Sequence, residues 1–203
     1  MFHAVTRILA RDAKSFEALR AVAYKRIAIA EASAAGNSRG GGDLTYDLSG
    51  LEVLYVEKHD FMRSLVKMVL TTLGIRKVRV AGNLDTAYSM FLDNPPDIII
   101  CDWAPGFDGL AFLDRVRETE KEPERYVPFI VVSAYTEREQ VISARDHGMT
   151  EFLGKPFSAR LLYDRICTII EHPRPFVEAG VYFGPERRRR RGEYAGDDRR
   201  NSE

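Results

Sequence analysis

The sequence predicts an α/β fold: a doubly wound, five-stranded parallel sheet with helices on both faces, spanning residues 49–172. Three observations predict it. Short apolar runs alternate five times with helix-length amphipathic segments between residues 51 and 170, and such β-α alternation builds a parallel sheet with right-handed crossovers. One run, Asp97-Ile98-Ile99-Ile100-Cys101, is almost continuously apolar, as a strand buried on both faces must be. Charged or hydroxyl side chains follow several runs directly, which suits a sheet that gathers ligands at the carboxyl ends of its strands.

Each element has its own signal. Leu51–Val56 is a strand, and Phe61–Leu73 a helix with Met62, Leu65, Val66, Val69, Leu70 and Leu73 at 3–4 spacing. Lys77–Ala81 is the second strand, and Leu84–Leu92 the next helix. The Asp97–Cys101 strand leads to a helix at Leu110–Glu118, and Pro128–Val132 to one at Glu137–His147. Glu151–Leu153 and a helix over Ser158–Ile170 complete the set. Before it, residues 1–35 are Ala-rich, with Val5, Ile8, Leu9, Phe16, Leu19 and Val22 in a helical stripe, so a helical amino-terminal arm is expected. Residues 36–48 open with Gly36-Asn37-Ser38-Arg39-Gly40-Gly41-Gly42, which reads as a flexible linker. Residues 173–203 hold many charges and glycines and few large apolar groups, so a disordered tail is expected.

Composition narrows the class. The chain has 203 residues, 45% of them hydrophobic, and carries 30 basic and 30 acidic groups. The zero net charge conceals an acidic centre, with 15 basic and 19 acidic groups in residues 49–172. The arm and linker carry 7 and 5, and the tail 8 and 6, with arginine as its only base. No run reaches the roughly 18 apolar residues that span a bilayer, and charges interrupt the amino terminus where a secretory signal would be apolar. Cys101 and Cys167 lack metal-site spacing, which suits reduced thiols and a cytoplasmic protein.

The strand ends bring chemistry together. Glu57 and Lys58 follow the first strand, Asp102 the third, Ser133 the fourth and Lys155 the fifth. A carboxylate can accept a phosphoryl group, and a hydroxyl with an ammonium can bind its oxygens. These residues sit in Val53-Leu54-Tyr55-Val56-Glu57, Ile98-Ile99-Ile100-Cys101-Asp102-Trp103, Asp108-Gly109, Val131-Val132-Ser133-Ala134 and Gly154-Lys155-Pro156-Phe157. On these motifs residues 50–172 resemble the response-regulator receiver, or CheY-like, family. The resemblance implies a flavodoxin-like sheet of order 2-1-3-4-5 and Asp102 as phosphoacceptor. It also implies Ser133 and Lys155 as phosphoryl contacts, Phe152 at the aromatic switch position and a cis Lys155-Pro156 bond. It further implies a non-enzymatic partner in a two-component phosphorelay, working with a histidine kinase and a motor or output protein.

Two departures from the family pattern concern Mg²⁺. Receivers place two adjacent acids after the first strand; here the pair is Glu57-Lys58. Glu57, Lys58 and Asp102 carry −1 where three carboxylates would carry −3, a severe loss for a hard cation that wants oxygen ligands. If a metal binds, Glu57, Asp102 and the backbone carbonyl of Ala104 are its candidate ligands, and the loop holding Ala104 is one residue short. Lys58 either lies against Asp102 as a built-in cation or points to solvent in a degenerate site.

The tail reads Tyr182-Phe183-Gly184-Pro185-Glu186, then Arg187, Arg188, Arg189, Arg190 and Arg191, with Asp197, Asp198, Arg199 and Arg200 beyond. Guanidinium groups bind phosphate, stack on aromatic rings and pair with the guanine edge. The tail resembles the arginine-rich extension of Cle-type CheY-like effectors, which implies cyclic di-GMP as its ligand at these nine residues. The alternative is a phosphorylation-independent adaptor whose basic tail attaches to nucleic acid or anionic membrane, partners the leading reading disfavours. The arm's stripe is expected to pack on the receiver or on a second copy in a homodimer.

Overall fold

The computed structural model describes residues 46–120, 124–180 and 182–187. The expected arm, most of the linker, Arg188 to Arg191, and Asp197, Asp198, Arg199 and Arg200 lie outside the described residues. In chain order the elements are β1 (Glu52–Val56), α1 (Asp60–Thr72), β2 (Lys77–Ala81), α2 (Leu84–Asp93), β3 (Ile98–Asp102) and α3 (Gly109–Arg117). They continue through β4 (Phe129–Ser133), α4 (Arg138–Asp146), β5 (Glu151–Gly154), α5 (Ala159–Glu171), β6 (Phe176–Ala179) and β7 (Tyr182–Pro185).

Strands β1 to β5 form one parallel sheet of order β2-β1-β3-β4-β5. Strands β3 and β4 are buried at every position, because helices cover both faces. On one face Val66 and Leu70 of α1 and Leu162 and Ile166 of α5 pack with Val53, Tyr55 and Ile100. On the other, Ala87 and Phe91 of α2 and Phe112 and Leu113 of α3 pack with Leu54, Ile99 and Phe129. Side-chain caps open three helices: Asn83, Asp108 and Ser158 accept from the amides of Thr86, Ala111 and Leu161.

Two segments differ from the expectation. Leu48, read as linker, is 1% exposed and closes the core beside Leu73 and Ile75. The described part of the expected disordered tail, up to Arg187, is instead folded: β6 and β7 form an antiparallel hairpin. Its physical basis is aromatic. Phe176, Phe183 and Tyr126 stack with centroids 5.2–5.5 Å apart, and Arg125 lies 3.6 Å over the Phe183 ring. Gly148 and Gly184 let the two backbones meet, for a Cβ on either would come within 2.6 Å of the other segment. The hairpin thus covers the amino ends of β4 and β5, where buried Arg117 donates to the carbonyls of Gly148, Arg125 and Val127.

Candidate functional site

The carboxyl ends of β1, β3, β4 and β5 converge on four polar side chains that the sequence singled out. Glu57 is 0% exposed, Asp102 3% and Ser133 0%. Lys155 reaches in from the turn after β5. Its Nζ lies 2.6 Å from Asp102 Oδ1 and 2.7 Å from Glu57 Oε2. The peptide bond between Lys155 and Pro156 is cis.

One ammonium therefore serves two buried carboxylates. Burial pushes the Glu57 carboxyl up, but hydrogen bonds from Lys155 and from both His59 donors outweigh it and hold the group below its ordinary value. Burial also pushes Asp102 up; Lys155 opposes this, the Glu57 charge adds to it, and the net shift is upward. Desolvation alone would lower the Lys155 ammonium, yet its hydrogen bonds to Asp102 and Glu57 raise it. The two carboxyls titrate as a coupled site in which Glu57 ionises first.

Neighbouring groups fix these atoms. His59 donates its amide to Glu57 Oε1 at 3.0 Å, with its Nδ1 at 2.9 Å from the same oxygen. Arg63 clamps the turn from below, donating to the carbonyls of Glu57 and Lys58 at 2.6 and 2.7 Å. Tyr55 Oη stands 3.5 Å from Glu57 Oε2; burial pushes its phenol far up, so it stays a neutral donor. Sequence reasoning missed Tyr55 and Arg63, whose types suit core and surface equally well. It gave His59 a surface or capping role; the residue is indeed 71% exposed and sits at the N-cap of α1, and only its contact with Glu57 was missed. The only clue to its contact was the two-residue spacing from Glu57.

The other expected residues fall as follows. Ser133 Oγ donates to the Trp103 carbonyl at 2.8 Å and accepts from the Tyr135 amide at 3.1 Å. Phe152 is half-buried against the core. Lys58 is exposed, and its ammonium forms no ion pair among the described residues. Lys155, rather than Lys58, is the cation lying against Asp102. The Ala104 carbonyl accepts from the Phe107 amide at 2.9 Å within a tight loop. Gly109 opens α3 directly against β3: a Cβ there would stand 2.2 Å from the Asp102 carbonyl oxygen. Arg187 lies far from this edge, with the hairpin, 4.2 Å over the Tyr182 ring and 3.3 Å from Asp146 Oδ1. No group of three His, Cys, Asp or Glu side chains among the described residues could hold a metal ion.

Residues 53–167 match the family model of the response regulator receiver domain. The chain belongs to this family. Relatives include the chemotaxis protein CheY-3 of Vibrio cholerae, 30% identical over 122 residues, covering 60% of this chain and 92% of that one. The chemotaxis protein CheY of Pseudomonas aeruginosa is 31% identical over 122 residues, covering 60% and 97%. Among solved structures, a response regulator from Chloroflexus aurantiacus, described as putative in its own name, is 28% identical. It superposes with a TM-score of 0.54 over 60% of this chain and 98% of that one. Receiver domains of this family typically bind Mg²⁺ and interact with histidine kinases and with motor or output proteins. No helix among the described residues is long and apolar enough to cross a membrane.

Proposed function

We propose that this receiver signals by protein contact from a site whose Mg²⁺ locus is degenerate, with Asp102 at the phosphoacceptor position. The observation that carries the reading is Lys58, exposed where the family places an acid, while the single Lys155 ammonium engages both buried carboxylates. A divalent cation would have to displace that ammonium or crowd against it. The position that would supply a third carboxylate holds exposed Lys58. The residues present do not fit an octahedral, oxygen-ligated Mg²⁺. Ser133 and Lys155 are the groups that would meet a phosphoryl oxygen on Asp102, and Phe152 is the neighbour that would feel the change.

The test is uptake of a phosphoryl mimic such as beryllofluoride by the full chain, with Lys58→Asp beside it. The reading expects saturable uptake only in the variant, at millimolar Mg²⁺. Equal, Mg²⁺-dependent uptake by the unaltered chain would overturn it.

A second reading concerns the arginine run as a site for cyclic di-GMP, acting with the receiver as an effector. It is favoured by Arg187, which stacks on Tyr182 while paired with Asp146, the mode in which a guanidinium grips planar anionic ligands. Calorimetry with cyclic di-GMP should give saturable heat for the full chain at ~0.15 M salt, near the physiological ionic strength. It should give none when Arg188, Arg189, Arg190 and Arg191 are all changed to Ser. Substitution is preferable to truncation, which would strip β7 from Phe176 and Tyr126. Equal binding by both proteins, or by neither, would remove this reading.

A further inference from the structure

Arg117 of α3 is a buried charge with no counter-charge. It is 3% exposed, and its Nε and Nη1 donate to the neutral carbonyls of Gly148, Arg125 and Val127. Its Nη2 is buried and meets no acceptor among the described residues. The same holds for Nε of half-buried Arg125, which precedes β4. Desolvation presses the Arg117 guanidinium down to about 9; Tyr182 opposes this, and the like charge of Arg125 adds to it. None of the described neighbours that act on it is a carboxylate. A buried ion is costly until an opposite charge meets it.

Both arginines line one cavity of about 370 Å³, between α3, the end of α4 and the β6–β7 hairpin, a size that suits a small molecule. Four acids share its wall, and two of them are already paired. Asp114 Oδ1 lies 2.7 Å from His147 Nδ1, and Asp146 Oδ1 lies 3.0 Å from Arg145 and 3.3 Å from Arg187. The other two, Glu118 and Glu178, are exposed and belong to the rim.

We propose that this cavity binds a small phosphate monoester, with its phosphoryl group held between the guanidiniums of Arg117 and Arg125. Charge decides the class. Two guanidiniums carry +2, and a phosphoryl monoester carries about −1.5 to −2 at pH 7, whereas a carboxylate would leave one cation uncompensated. Phosphoryl oxygens also match the planar guanidinium fork and give the two idle donors an acceptor. The exposed acids of the rim repel a polyanion such as nucleic acid, which favours a ligand small enough to pass between them. Its binding joins α3, the segment before β4 and the hairpin. The cavity lies beside the amino end of β5, whereas Asp102 closes the carboxyl end of β3, so a ligand here leaves the acidic pocket untouched.

The test is residue-resolved NMR titration of the ¹⁵N-labelled full chain with phenyl phosphate, and in parallel with acetate, at ~0.15 M salt. Phenyl phosphate should give saturable shifts at the Arg117 Nε–H and at the amides of Gly148 and Phe183, with a dissociation constant in the millimolar range. Acetate should bind at least about tenfold more weakly, for want of the second charge. Arg125→Met should abolish saturation while the amide pattern of β6 and β7 is kept. If that variant loosens the hairpin, Glu178→Gln decides: loss of an exposed rim charge should tighten phenyl phosphate about two- to fivefold. Absence of saturation, shifts confined to Asp102, Ser133 and Lys155 or to residues 187–200, equal binding of acetate, binding unchanged by Arg125→Met, or an affinity unmoved by Glu178→Gln would each overturn the proposal.

Discussion

The Nζ of Lys155 lies 2.6 Å from Oδ1 of Asp102, whose side chain is 4% exposed. The same nitrogen holds Glu57 at 2.7 Å, so the site carries two negative charges against one positive. That imbalance sets its energetics.

Removing the cation should be costly. Lys155→Met leaves two buried carboxylates facing each other, and breaking a buried pair by deleting one partner costs about 3–5 kcal/mol. Urea unfolding at pH 7 should report a loss of that order. Lys155→Met combined with Asp102→Asn should recover a substantial part of it.

The two carboxyls should respond to pH with opposite signs. Glu57 is held below its ordinary value, so its stabilisation is present above about 4.3, the unfolded-chain value for glutamate, and is lost as pH falls through its folded pKa. Asp102 is raised, so the folded state binds the extra proton, and stability falls as pH rises from about 3.9 through its folded pKa. Thermal unfolding at pH 7 should therefore show Glu57→Gln destabilised relative to Asp102→Asn. The reverse order would mean the shared ammonium favours Asp102.

The loop leaving β3 should tolerate no side chain at position 109. A methyl there would lie 2.2 Å from a backbone oxygen, which a flexible neighbour cannot relieve. Overpacking of this kind costs about 1–3 kcal/mol. Gly109→Ala should lower the unfolding free energy by at least the middle of that range, and should perturb Trp103 fluorescence through the displaced strand end.

The hairpin should behave as a local unit. Phe176→Ala removes the ring that stacks on Tyr126 and Phe183, so amide exchange should accelerate across residues 176–185. Protection in β1 and β3 should stay unchanged, since local openings need not engage the central sheet.

Much of this was legible in the sequence because the sheet announces itself locally. Periodicity located all five sheet strands, and every one observed overlaps its expected range, Lys77–Ala81 matching at both ends. Asp102, Ser133 and Lys155 were readable because strand ends are where side chains meet. The details that were not legible depend on distant partners. The pairing of Lys155 with Glu57 joins positions 98 apart, and nothing near Lys58 says that it faces solvent. The hairpin escaped because its two strands are only four residues each, too short to show a period. Its stability comes from Tyr126 and Arg125, some fifty residues upstream, and composition cannot register that. Arg117 was missed for the same reason: a buried arginine, its guanidinium lowered to about 9 chiefly by desolvation, looks like any helix-surface arginine in the sequence.

Trp103 stands next to Asp102 in the chain, and its carbonyl is held by Ser133, so its fluorescence reports on the acidic pocket. Titration of the full chain with Mg²⁺ through the millimolar range, followed by Trp103 emission, tests the central claim most directly. The unaltered site, with Lys58 where an acid would stand, should give no saturable change, and Lys58→Asp should introduce one. Saturable quenching of the unaltered chain at millimolar Mg²⁺ would contradict it.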